Sequence, residues 1–154
     1  MRPSCATYAA GTSLVIGESN AERIKIEAGT AVAQANGRNV EIHIKGRDLR
    51  EGRLKSVVLG PKDMAEALSG SVAELAEFIL RAIEDLPTAM AREVANRGVV
   101  LTGGGSLLDS LDVALAERVG VPFVLPQTPM HCVIKGTALV LESPNEREHL
   151  LIIP

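Results

Sequence analysis

The sequence predicts an α/β fold with a βαβ core and a small α+β part beside it. Three stretches carry that expectation. Residues 98–120 read as strand, glycine loop and amphipathic helix. Residues 40–59 hold two short strands, and residues 61–87 carry one long apolar stripe at helical spacing.

In the first stretch, Val99-Val100-Leu101 is an apolar run bounded by Gly98, as expected of a buried strand. Thr102 and three glycines, Gly103, Gly104 and Gly105, follow. Beyond them Leu107, Leu111, Leu115 and Val119 recur every four residues, which places them on one helical face. Ser106 is a candidate N-cap, Asp109 puts negative charge in the first turn, and Gly120 closes the helix. Residues 121–125, with Pro122 and Pro126, read as the next strand. A strand, helix and strand in this span make a parallel pair with a right-handed crossover.

The glycine loop suggests chemistry. Glycines let another group come against the backbone, and the helix that follows offers free N–H groups and a positive dipole end. Such a loop suits a nucleotide. It is neither a Walker A loop nor a G-x-G-x-x-G loop, and it has no lysine for terminal phosphates. Its residues therefore read as one wall of a nucleotide site, or as a tight turn packing a helix onto a sheet.

Composition sets the bounds. At 154 residues and 16.3 kDa the chain is long enough for one domain with a real core. Net charge is −3, and no basic patch with interleaved aromatics is present, which argues against nucleic acid as a partner. Tyr8, Phe78 and Phe123 are the only aromatics, so the core must be aliphatic and a platform for stacking bases is nearly excluded. Cys5 and Cys132 lie far apart and form no metal-spaced pair; a reducing cytoplasm is the default, with Cys132 a small core residue. No apolar run reaches the length of a membrane span, and no signal peptide is visible.

Taken in order, residues 1–18 are weakly patterned and expected to be poorly ordered, the run Leu14-Val15-Ile16 included. Ser19 to Glu22 has the capping-box spacing S-x-x-E and opens a helix that Gly29 stops. Glu22, Arg23 and Lys25 read either as a solvated face with local ion pairs or as contacts to an adenine or ribose. Asn36-Gly37 marks a turn. From Val40 to Lys45 the chain alternates strictly, with Val40, Ile42 and Ile44 inward and His43 outward. A charged connection over residues 46–52 leads to a second, antiparallel strand over 54–59.

Pro61 starts the long helix, whose stripe is Met64, Ala67, Leu68, Val72, Leu75, Ile79 and Ile83; Pro87 ends it. A shorter helix over residues 88–95 leads into the glycine-loop unit. Pro129 opens a last helix over 130–142, interrupted at Lys135-Gly136-Thr137. The tail carries an apolar run over 150–153 that reads as a sticky edge. The domain reading is an N-terminal segment (1–18), a small α+β subdomain (19–60), a βαβ subdomain (61–142) and a tail (143–154).

The order of these motifs resembles a known family. Val15-Ile16-Gly17-Glu18, the run AERIKIEAG over 21–29, IKGRDLREG over 44–52, RGVVLTGGGSLLDSLD over 97–112, VGVPF over 119–123 and HCVIKGTALVLE over 131–142 are together similar to MreB, the bacterial actin-like rod-shape-determining family. The resemblance implies the second lobe of an actin-like (ribonuclease-H-like) fold, with 19–60 and 61–142 as its two subdomains. It implies ATP as ligand, with magnesium and the phosphate-side contacts supplied outside these residues. The adenosine-side segments match Glu22, Arg23, Ile24 and Lys25, and Gly103, Gly104, Gly105, Ser106 and Leu107. It further implies self-association or association with full-length MreB filaments and with the cell-wall elongation machinery. The expected location is cytoplasmic at the inner membrane face, with membrane contact only indirect.

The departures are specific. The resemblance covers the second half of the family's length. Its phosphate loops and the acid that positions the attacking water match nothing in the sequence. Residues 134–138 read IKGTA where the family has a glycine-richer run, and the tail SPNEREHLLIIP is unlike it. No ATPase activity is therefore expected of the chain alone. The runner-up to a nucleotide-binding filament protein is a truncated, non-hydrolysing module, or a decayed remnant, that binds full-length MreB or its partners. A sugar kinase of the same superfamily is a further reading, against which the AERIK segment argues.

Overall fold

The computed structural model describes residues 7–8, 14–33 and 40–142. The expected turn at Asn36-Gly37, Cys5 and the apolar run over 150–153 lie outside them.

Four strands form one antiparallel sheet in the order β1 (Thr7–Tyr8), β2 (Leu14–Ile16), β3 (Ile42–Asp48) and β4 (Leu54–Leu59). The sequence marks β3 and β4 clearly. Ile44 is buried and His43 exposed, and His43 pairs with Val58 across the hairpin. Three details depart from expectation. Leu14–Ile16 is not a frayed start but a strand paired to β3 through Leu14 and Asp48, with Leu14 1% exposed. Val40 lies before β3 and is exposed. At its other end β3 runs through Gly46 to Asp48, because a Cβ on residue 46 would sit 2.4 Å from Leu14 Cδ2: glycine lets β2 lie close there.

The β3–β4 turn is organised by one side chain. Asp48 is 4% exposed, and its Oδ1 accepts the Arg50 N–H at 2.8 Å and the Glu51 N–H at 3.3 Å. Lys55 Nζ lies 3.7 Å from Oδ2. Asp48→Ala should cost about 1–3 kcal/mol, because two amides lose their acceptor; Asp48→Asn, which keeps one, should cost less. Thermal melts of the two variants check this, and equal losses would show that the turn amides are not what Asp48 serves.

Helix α1 (Glu18–Ala28) buries Ile24 in one core with Leu14, Ile16 and Ile44 of the sheet. The expected capping box does not form. The helix starts one residue before Ser19, the carbonyl of Gly17 accepts the Asn20 and Ala21 N–H groups, and Glu22 pairs with Lys25 instead. Helix α2 (Pro61–Glu84) opens as the proline predicts, and Asp63 Oδ2 accepts the Gly60 N–H at 2.8 Å. Met64 joins Leu14, Ile16, Ile24, Ile44 and Leu59 in one core. Two turns further on, Val72 and Ala76 join Leu111, Ala114 and Leu115 in a second. From the expected stripe, Leu75 is partly exposed and Ala76 takes the buried place.

Helix α3 (Thr88–Arg97) leads to β5 (Val99–Val100), which pairs in parallel with β6 (Phe123–Val124) in the register Val99 to Phe123. This is the expected parallel pair. The crossover differs inside: Gly104–Leu107 is a 3₁₀ turn, and α4 (Leu111–Val119) begins only after it. Leu107 is therefore off the helix and 55% exposed, whereas Leu115 is 0% exposed. A 3₁₀ turn, Pro129–His131, runs into α5 (Cys132–Glu142). That helix is not interrupted at Gly136; Thr137 Oγ1 donates to the Val133 carbonyl at 3.0 Å, one helical turn back. No α5 residue is buried. Cys132 is half-buried, and its thiol donates to the Thr128 carbonyl at 3.4 Å.

Candidate functional site

Two segments were expected to form the site, and the fold treats their residues differently. On α1, Glu22 and Lys25 are exposed and paired, with Nζ 2.6 Å from Oε2. An exposed carboxylate beside an ammonium offers an acceptor and donors to a ribose hydroxyl or an amino group. The pair itself adds little to stability, a few tenths of a kcal/mol at this exposure. Arg23 is engaged with Glu27 at 3.0 Å. Ile24 is 4% exposed and belongs to the core, so its side chain positions the helix.

The glycine loop has an inner and an outer side. Gly103 has φ 83° and ψ 177°, a backbone region essentially confined to glycine, and its N–H donates to the Pro129 carbonyl at 3.0 Å. Ser106 is buried, and its hydroxyl donates to the Gly103 carbonyl at 2.7 Å. It closes the turn and does not cap α4. Gly104 and Gly105 are exposed, with no other atom within 4 Å of where a Cβ would stand. Their outer side is thus bare backbone in open space, which fits the close approach of a flat ring.

The two segments are tied together by contacts the sequence did not predict, and Asp109, expected in the first turn of the helix, lies ahead of α4 and serves one of them. Thr30 and Asp109 form an isolated parallel bridge, and the Ala31 N–H donates to the Asp109 carbonyl at 2.8 Å. Gly29 presses against Leu108: a Cβ there would lie 2.9 Å from Leu108 Cδ1. The chain just beyond α1, five residues past Lys25, is therefore joined to the chain two residues past Leu107. A shallow hollow between them is lined by Gly29, Thr30, Pro61, Leu107 and Asp109, among others. Leu107 alone of the expected residues lines it. A larger hollow of about 260 Å³ lies between α1 and β3, lined by Asn20, Arg23, Ile24, His43 and Lys45 with Ile16 and Ile44. It takes in Arg23 and Ile24 but no part of the glycine loop.

Among the described residues, no group of three or more His, Cys, Asp or Glu is arranged to hold a metal. Nor is any helix among them long and apolar enough to cross a membrane.

The model of the MreB/Mbl protein family matches residues 9–149. The chain belongs to the MreB/Mbl family. Within it, the chain is 38% identical over 130 residues to the cell shape-determining protein Mbl of Bacillus cereus, covering 84% of this chain and 38% of that protein. It is 39% identical over 128 residues to the cell shape-determining protein MreB of Escherichia coli, covering 83% of this chain and 36% of that one. The MreB/Mbl chain described here thus spans under two-fifths of the length of these relatives. Its fold is the α/β, actin-like one: it superposes on the crystal structures of MreB5 of Spiroplasma citri bound to AMPPNP and bound to ADP with TM-scores of 0.78 and 0.77. Those matches cover 90% and 88% of this chain and 41% of each neighbour, at 23% and 22% identity.

Proposed function

We propose that this MreB/Mbl chain forms the adenosine wall of an actin-like cell-shape protein that binds adenine nucleotide and contributes to filaments. The observation that carries the reading is the bare outer side of Gly104 and Gly105 on a loop joined to α1 by the Thr30–Asp109 bridge. The nucleotide named in both Spiroplasma structures supports it. In this reading Glu22 and Lys25 meet the ribose or the base edge, and Arg23 and Ile24 hold α1 in place. Gly103 to Leu107 present the backbone against the ring. Residues 19–60 act as the small subdomain and 61–142 as the larger one. Filament assembly, organisation of wall synthesis and a cytoplasmic location under the membrane belong to the same proposal by family membership.

Phosphoryl chemistry makes a different demand. Hydrolysis needs donors around the β- and γ-phosphates, a magnesium ion and a positioned water. The residues assigned here face the nucleoside, so the 154-residue chain alone should bind without turnover. Nuclear magnetic resonance titration of the full chain tests this at the Gly103, Gly104 and Gly105 amides. Adenosine and ATP should bind with affinities within about threefold of each other. Gly105→Val, which fills the open side, should weaken adenosine by about tenfold or more, a loss of about 1.4 kcal/mol or more. ATP binding much more tightly than adenosine, or ATP turnover that Gly105→Val abolishes, would overturn the assignment.

A further inference from the structure

We infer that Thr30 is a positioning residue of the proposed nucleoside site: it sets where the glycine loop stands relative to α1. The inference rests on the adenosine-wall reading and adds a residue to it. Thr30 is 5% exposed, and its hydroxyl is engaged on both sides. Oγ1 donates to the Val32 carbonyl at 2.9 Å, lies 3.4 Å from the Asp109 carbonyl and accepts the Val32 N–H at 3.3 Å. This local ring holds the bend over residues 30–32 from which the Ala31 N–H reaches the Asp109 carbonyl; Thr30 and Asp109 stand 79 positions apart in sequence.

The loop side is distorted to meet it. Leu107, Leu111, Leu115 and Val119 would allow a continuous helix, yet the chain breaks at residues 108–110. Leu108 is extended, at φ −60° and ψ 126°, and Ser110 is left-handed at φ 58°. Among the described residues Ser110 is the one non-glycine at positive φ, and its buried Oγ has no hydrogen-bond partner. A left-handed serine and an unpaired hydroxyl are unfavourable features that the surrounding structure must impose. What they accomplish is visible: the break turns the Asp109 carbonyl away from α4 and toward Ala31. Had the helix begun at Leu107, that carbonyl would have been committed to the helix ladder. The strain is thus stored beside the glycine loop, in the contact that joins it to the helix of Glu22 and Lys25.

The test uses the full chain, with adenosine as probe. Thr30→Val keeps the shape and removes the hydroxyl; Thr30→Ser keeps the hydroxyl. Where the unaltered chain binds adenosine, Thr30→Val should weaken binding about tenfold and shift the free-state amide signals of Gly103 to Gly105. Thr30→Ser should stay within about twofold. Unchanged affinity in a Thr30→Val protein that is folded but less heat-stable would give Thr30 a purely structural role and overturn the inference. If Thr30→Val does not fold, the unaltered chain decides: adenosine should slow hydrogen exchange at the Ala31 amide, and no slowing overturns it. Should the unaltered chain bind no adenosine, the adenosine-wall reading fails by itself. Whether Thr30 sets the stance of the loop is then decided without ligand: Thr30→Val should move the loop glycine signals and Thr30→Ser should not, and any other pattern overturns it.

Discussion

Gly98→Ala is expected to destabilise the chain by roughly 3–5 kcal/mol. Two independent penalties meet at this residue. Its φ of 82° and ψ of −178° lie in a region essentially restricted to glycine, worth about 1–3 kcal/mol for any other residue. A Cβ would also stand 2.5 Å from the Pro122 carbonyl oxygen, with more of Pro122 at 3.0 and 3.1 Å. That oxygen cannot retreat, because it accepts the Val99 N–H at 2.8 Å and so begins the β5–β6 pairing. Gly120→Ala is the internal control. It too has positive φ, 78°, but in the left-handed helical region with open space around it, so about 1 kcal/mol is expected. Urea denaturation of both variants gives the comparison at constant slope. A Gly98→Ala loss no larger than that of Gly120→Ala would mean that β5 and β6 can shift apart without consequence.

Leu115→Ala should cost about 2–5 kcal/mol. Leu115 and Leu14 are the only large side chains among the described residues with less than 2% exposure. Leu115 lies on α4 in the core shared with Val72 and Ala76 of α2, where two helices and the parallel strands meet. Removing its branched end leaves a void that packed helices close only in part. Leu107→Ala, four residues outside α4 and 55% exposed, should fall within about 0.5 kcal/mol of the unaltered chain. The pair of denaturation midpoints decides which of the two leucines belongs to the helical stripe that their spacing assigns to both. Equal losses would place Leu107 in the core and contradict the 3₁₀ turn.

Leu107 also shows where the sequence stops being legible. Elements whose pattern is complete within themselves were readable: the β3–β4 alternation, the proline-led α2, and the parallel pair on either side of α4. Each follows from local periodicity and turn chemistry. The break at residues 108–110 was not, because its cause is a bridge to Thr30 that no local pattern encodes. The strand at Leu14 to Ile16 was missed for a related reason. Three apolar residues are too few to announce a strand, and they become one by pairing with Arg47 and Asp48, which themselves read as a charged connection. Gly136 erred in the opposite direction. A mid-helix glycine costs about 1 kcal/mol, which α5 absorbs without breaking. In the site, the glycine loop was legible as a loop, and a local ion pair of Glu22 with Lys25 was one of the two readings of α1. What joins the two segments was visible only once the chain was folded.

The position of α2 sets how the molecule holds together under stress. One helix of 24 residues, about 36 Å long, supplies Met64 to the first core and Val72 and Ala76 to the second. A helix gains its stability from the surfaces it packs on, and its hydrogen bonds propagate cooperatively along its length. Loosening either core therefore frays the rod on which the other is built. The two cores are therefore expected to loosen as one unit: a lesion confined to the sheet side, such as a truncated Ile44, should also lower hydrogen-exchange protection in α4, and unchanged protection there would show two separate units.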